Sequence, residues 1–276
     1  MSMHTFDQAI ALEPAANGAA GVFTGRSSEA YWNMVGPFGG TTAATALRAV
    51  LMHGELLGEP VSLTANYAAA LLAGAFTVTA RPVRTNRSTQ HWTVEVTQTD
   101  ASGEEGVVLT ATVMTAARRS TWSQNDTHMP QAPLPAEVPS RSLFSQVEWV
   151  KRYDVRPILG TVPEVLDDSG EDSLTRLWVR DLPPRPLDFM SLAAMADAFY
   201  PRVWLRRARL VPAGTVSFTV YFHAGRDELA QTGDGYILGQ AKAQTFRNGF
   251  FDQMGQLWNE SGVLLATTHQ MVYYKE

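Results

Sequence analysis

Apolar and polar residues alternate with a period of two along most of this chain, and two stretches switch to the longer period of a helix. In "TTAATALRAVLMHG" the residues Ala43, Leu47, Val50 and Leu51 keep the i, i+4, i+7, i+8 spacing of one buried helix face. Gly54 stands where that helix would stop. In "FMSLAAMADAFY" nearly every position is apolar, and the helix is expected to run to Pro201, since a residue preceding proline is disfavoured in the α conformation. Alternation predicts strands near 61–70, 75–84, 90–99 and 106–117 after the first helix, and near 214–223, 235–246, 249–259 and 262–274 after the second. Strand-like "GVFTGRSSEAYWN" precedes the first helix. "SQVEWVKRYDV" and "LTRLWVRDL" precede the second, separated by the acidic loop "VLDDSGEDS".

The two sets of elements share wording as well as order. "VSLTANYAAALLAG" from Val61 is echoed by "VSFTVYFHAGRDEL" from Val216: Val61, Ser62, Thr64 and Ala69 recur as Val216, Ser217, Thr219 and Ala224, each 155 positions on. "GVVLTATVMT" from Gly106 matches "GVLLATTHQM" from Gly262 at an offset one residue larger. The chain thus reads as a tandem repeat, with one unit over 1–119, a Pro-rich polar linker over 120–141 and a second unit over 142–276. One long helix with mostly antiparallel strands, duplicated, is an α+β arrangement in which each sheet wraps around its helix.

At "GPFGGTTAATALRAV", "VSLTANYAAALLAG", "TVSFTVYFH" and "GVLLATTHQ" the chain resembles the double-hotdog acyl-CoA thioesterases of the bacterial thioesterase II type. The resemblance implies a double hotdog and hydrolysis of acyl-CoA thioesters without metal or other cofactor. It also implies a catalytic set of Asp197, Thr215 and Gln270, which hold and activate a water. The pattern departs from the family's in two places. Ser217 and Phe218 stand where an Asp-His pair is common, and Met271 and Val272 follow the glutamine in place of Glu-Gly.

The residues themselves support part of this. Asp197 is the one polar side chain from Leu192 to Phe199, and burying a carboxylate raises its pKa toward that of a general base at neutral pH. Thr215, Ser217 and Thr219 alternate with other residues and are expected on one strand face, a row of hydroxyls able to hold water. Of these Thr215 is the first candidate, with Thr219 second as a substrate contact. Counted from the aligned glycines, Gln270 corresponds to Met114, and Thr41 falls near the place of Asp197, so the site is expected mainly in the second unit. Gly39 and Gly40, in the "GPFGG" entry to the first helix, let the backbone approach a ligand and offer free N–H groups. Arg84 and Arg87, like the cluster Arg206, Arg207 and Arg209, are candidates to meet CoA phosphates.

Composition narrows the field. The 276 residues carry a formal charge of -5, which leaves no basic footprint for nucleic acid. With no cysteine there are no disulfides, thiol nucleophiles or thiolate metal sites, which fits a cytoplasmic protein. No His motif for a metal and no Gly-x-Ser-x-Gly elbow is present, and no run reaches the roughly 18 apolar residues of a membrane span. The resemblance further implies a homo-oligomer, a dimer or larger. Two other readings stay open: an acyl-CoA or lipid-binding protein without catalysis on the same scaffold, and an enoyl-CoA hydratase, which wants a His paired with the Asp.

Overall fold

The computed structural model describes residues 3–16, 18–141 and 146–276, so the expected start of the second unit at 142 lies outside the described residues. In chain order the first unit contains α1 (Thr5–Ala9), β1 (Leu12–Pro14), β2 (Val22–Arg26), α2 (Gly39–Leu51), β3 (Glu59–Tyr67), β4 (Ala75–Thr85), β5 (Thr89–Thr99) and β6 (Glu105–Ala116). The second contains β7 (Tyr153–Leu159), β8 (Thr175–Asp181), α3 (Phe189–Met195), α4 (Arg202–Arg207), β9 (Ala213–Phe222), α5 (Arg226–Thr232), β10 (Ile237–Lys242), β11 (Phe246–Arg247), β12 (Phe250–Asn259) and β13 (Leu264–Tyr274).

All strands join one antiparallel sheet in the order β1-β2-β4-β5-β6-β3-β9-β13-β12-β10-β8-β7, with β11 attached to β12. The two units meet where β3 pairs with β9. There Thr64 lies opposite Thr219, its own repeat equivalent, and their hydroxyls approach to 3.0 Å. Leu63 faces Val220 and Ala65 faces Phe218, as a local two-fold axis through the threonine pair requires. The fold is the double hotdog: one sheet curls around the helix pair α2 and α3, which pack on each other.

Those helices can be buried because α2 is built mainly of small residues, with the Thr41 and Thr45 hydroxyls donating back to Phe38 O and Thr41 O, and α3 is apolar but for Ser191. Ten of the thirteen residues of α2 are buried, alanines and threonines among them, and all of α3 except Met190 is. The backbones come so close that a Cβ on Gly40 would stand 2.6 Å from the carbonyl oxygen of Ala194. The two-fold relation sets α2 and α3 so that the N-terminus of α2 lies against the C-terminal end of α3.

Two expectations need correction. The second helix does not run to Pro201: α3 ends at Met195, where i→i+3 bonds from Asp197 N–H to Ala194 and from Ala198 N–H to Met195 tighten the last turn. A separate short helix, α4, begins after the proline. The linker 120–141 crosses the surface, and its later part lies on the outer face of β8 and β10, where Trp178 Nε1 donates to Pro133 O at 2.9 Å and Val138 packs with Trp178 and Leu238. The strand expected across 145–155 is instead a 3₁₀ turn, Glu148–Arg152, followed by β7.

Leu63 is fully buried beside the junction. Leu63→Ala is expected to lower stability by about 2–5 kcal/mol through lost burial and the cavity left behind, read as a shift in the urea midpoint at constant slope.

Candidate active site

Between the α2 N-terminus, the end of α3 and strands β9, β12 and β13 lies a cavity of about 790 Å³, within the range of small-molecule sites. Asp197, Thr215 and Gln270 all line it. Asp197 leaves α3 just past its last turn and points back toward the start of α2. Its Oδ1 accepts from Gln270 Nε2 at 2.8 Å, the Gly40 backbone N–H also donates to it, and Oδ2 stands 3.0 Å from where a Cβ on Gly39 would be. Thr215 Oγ1 donates to Gln270 Oε1 at 3.2 Å. The amide is thereby held in one orientation, nitrogen toward the carboxylate and oxygen toward the hydroxyl, since the reverse would set acceptor against acceptor.

Burial pushes the Asp197 carboxyl up to about 7, against the opposing pull of the Gln270 and Gly40 bonds. Only the side facing the cavity keeps some exposure. The free N–H groups of the α2 first turn add positive potential at the same point. Tyr67 completes the corner: its hydroxyl donates to Gly39 O at 2.8 Å, tying β3 to the helix entry.

Thr215 reaches this site through a bulge. On β9, Ser217 pairs with Met271 but Thr215 pairs with Val272, leaving Val216 unpaired. The extra residue turns Thr215 to the inner face beside Gln270, while Ser217 and Thr219 remain on the outer face. The three hydroxyls therefore do not share a face. Thr219 bonds Thr64 at the junction and does not line the cavity.

The repeat correspondence shifts by one residue for a related reason. β6 and β13 carry matching extra residues, Val108 opposite the Val96/Thr97 step of β5 and Leu265 opposite the Leu257/Trp258 step of β12, and β3 carries the counterpart of the β9 bulge at Val61. In that register Met114 corresponds to Met271, and the counterpart of Gln270 is Val113, not Met114. Thr215 corresponds to Pro60. Counted from the helix N-caps, Phe38 and Asp188, the counterpart of Asp197 is Leu47, not a residue near Thr41. All three first-unit positions are apolar and buried.

Of the other candidates, Gly39 lines the cavity and Gly40 donates to Asp197. Arg84 and Arg87 are exposed around the β4–β5 turn and do not line it, and Arg84 bonds its neighbour Asn86 instead. Arg206 and Arg207 bind the acidic loop, through Gly170 O and Asp168, and Arg209 lies 3.6 Å from Asp168. No histidine lines the cavity, and among the described residues no group of His, Cys, Asp and Glu could hold a metal. No helix among them is long and apolar enough to cross a membrane. Among the lining residues that the sequence reading does not single out are Tyr67 and Gln253. Gln253 has the parity of Phe251 and Leu257 on its strand, which marks it as inward-facing.

Models of the N-terminal and C-terminal domains of acyl-CoA thioesterase match residues 28–116 and 126–274. The chain belongs to the acyl-CoA thioesterase family, and its chemistry in general terms is thioester hydrolysis. Among solved structures it is similar to a conserved protein of unknown function with a hot dog fold from Alicyclobacillus acidocaldarius, at 45% identity and TM-score 0.92 over 100% of this chain and 99% of that one. It shares the fold of the acyl-CoA thioesterase II TesB2 of Mycobacterium marinum (20% identity, TM-score 0.74, 98% of both chains). The same holds for a tesB protein of Mycobacterium avium subs paratuberculosis (16%, 0.73, 98% of both chains). No curated protein matches the chain.

A carboxyl whose folded pKa lies above its unfolded value favours folding below the unfolded pKa, and that contribution is lost as pH rises to the folded pKa. Asp197→Asn is therefore expected to gain stability relative to the wild type between about pH 4 and pH 7, with the difference level above that. Denaturant midpoints across pH check it. Asp181, also pushed up by burial to about 7, is common to both proteins and cancels.

Proposed function

We propose that this protein hydrolyses acyl-CoA thioesters with a water activated by Asp197. The observation that carries the reading is the hydrogen-bonded chain Thr215–Gln270–Asp197 inside the cavity, ending in a carboxyl poised near neutral pH. Gln270 keeps one N–H unused by Asp197, and Thr215 keeps its lone pairs. Both can hold a water beside the carboxylate without competing for its proton. Asp197 takes a proton as the water oxygen bonds to the thioester carbonyl carbon. The tetrahedral intermediate then expels the CoA thiolate, which the same carboxyl reprotonates, giving free acid and thiol.

The oxyanion needs donors that are free before substrate arrives. Gly39 lines the cavity at the first turn of α2, where intrahelical bonding leaves N–H groups unused. A side chain at this position would crowd the Asp197 carboxylate and the Tyr67 hydroxyl, which supports glycine as a requirement of the site. The α2 dipole favours negative charge at the same end. The hydratase alternative lacks its partner, since His223 and His269 are exposed and outside the cavity.

Steady-state release of CoA from acyl-CoAs of graded length tests the reading. kcat/KM is expected to rise with pH through about 7 as Asp197 ionises. Asp197→Asn is expected to lose about 10²–10⁴-fold while remaining folded. Folded wild type that binds every acyl-CoA and cleaves none would instead support a binding protein.

A further inference from the structure

Gln253 belongs to the cavity but not to the hydrogen-bonded chain. It stands on β12 directly opposite Gln270 on β13, is 3% exposed and lines the cavity. Among the described residues its side-chain amide makes no hydrogen bond. Buried side-chain amides almost always find partners, so one left open toward a cavity is placed for a ligand.

Its depth indicates which end of a substrate it meets. The rim of the cavity is exposed at Met34, Val35, Leu210 and Tyr273, while Phe251 and Gln253 are nearly fully buried. CoA carries a charged nucleotide that stays with solvent at the rim, so the acyl group enters toward Gln253. Paired strands lie about 4.8 Å apart, which sets the Gln253 amide roughly that far from Gln270 and the attacking water. An acyl atom two or three bonds beyond the carbonyl carbon falls within its reach.

We infer that Gln253 is a specificity-determining residue whose amide hydrogen-bonds a hydroxyl or keto oxygen near the thioester, so that the cavity favours oxygenated acyl groups over plain alkyl chains. The inference rests on the thioesterase reading for the substrate's identity and adds the acyl class. An alkyl chain covers the amide and leaves it without either water or a partner. Sites built around a buried hydrogen-bonding group reject analogues that lack the matching one far more strongly than apolar pockets reject an extra methylene.

The test uses CoA thioethers, in which the carbonyl is replaced by CH₂, with octyl and 3-hydroxyoctyl chains. Their Kd values are measured by calorimetry for the wild type, Gln253→Met and Gln253→Asn. The kcat/KM values for the corresponding thioesters are measured beside them. The wild type is expected to favour the hydroxylated chain by about tenfold or more, the worth of one buried hydrogen bond. Gln253→Met, nearly the same volume without the amide, is expected to bring the ratio to about one. Gln253→Asn, an amide one methylene shorter, is expected to fall between them. A wild-type ratio near one overturns the inference, as does a ratio that Gln253→Met leaves unchanged. Equal weakening of both ligands by Gln253→Met also overturns it, and places the amide on the pantetheine that both ligands share. Absence of hydrolysis of either thioester by folded wild type overturns the thioesterase reading alone, because the binding ratio still decides the role of Gln253.

Discussion

The antiparallel pairing of β3 with β9 is the constraint on which the rest of the molecule depends. It fuses two half-sheets into one and removes what would otherwise be the long unpaired edge of each. Because the junction is a local two-fold, it also dictates how α2 and α3 cross. The N-terminus of the helix from one unit must meet the C-terminal end of the helix from the other. Asp197 is thus supplied by the second unit and its backbone donor by the first. Neither unit holds the arrangement alone.

That crossing also resolves an electrostatic difficulty. A carboxylate enclosed by protein is costly, and here its cost is offset from two sides: by the Gln270 amide and by the positive end of α2. The offset is incomplete, which is why the carboxyl stays near 7 instead of falling to the ordinary carboxylate range. Tighter compensation would leave a weaker base.

Duplication left the two units unequal. Leu47, Pro60 and Val113 occupy the first-unit counterparts of Asp197, Thr215 and Gln270, and they serve as core. Pro60 fits there because it stands next to a bulge, one of the few places within a sheet that tolerates the loss of a backbone donor. The second unit uses the matching bulge differently, to turn a hydroxyl inward. One backbone irregularity therefore served packing in one copy and site geometry in the other.

The sequence by itself determined the layers, the duplication and most of the strands, because alternation and helical period depend only on which residues avoid water. It also marked Asp197, an isolated carboxylate in an apolar run. What it did not carry was parity across a bulge. Val216 has no local signature of being the unpaired residue. Its place is set by how β9 registers against β13, and one slipped residue moves every side chain beyond it to the other face. For that reason Thr215 and Ser217 are equivalent by alternation along the chain, and a count from the aligned glycines pairs Gln270 with Met114 instead of Val113. The early end of α3 is of the same kind: tertiary contact with α2, more than helix propensity, decided where Asp197 points. The alignment of Gln253 with Gln270 across a strand pair likewise exists only once the sheet has formed.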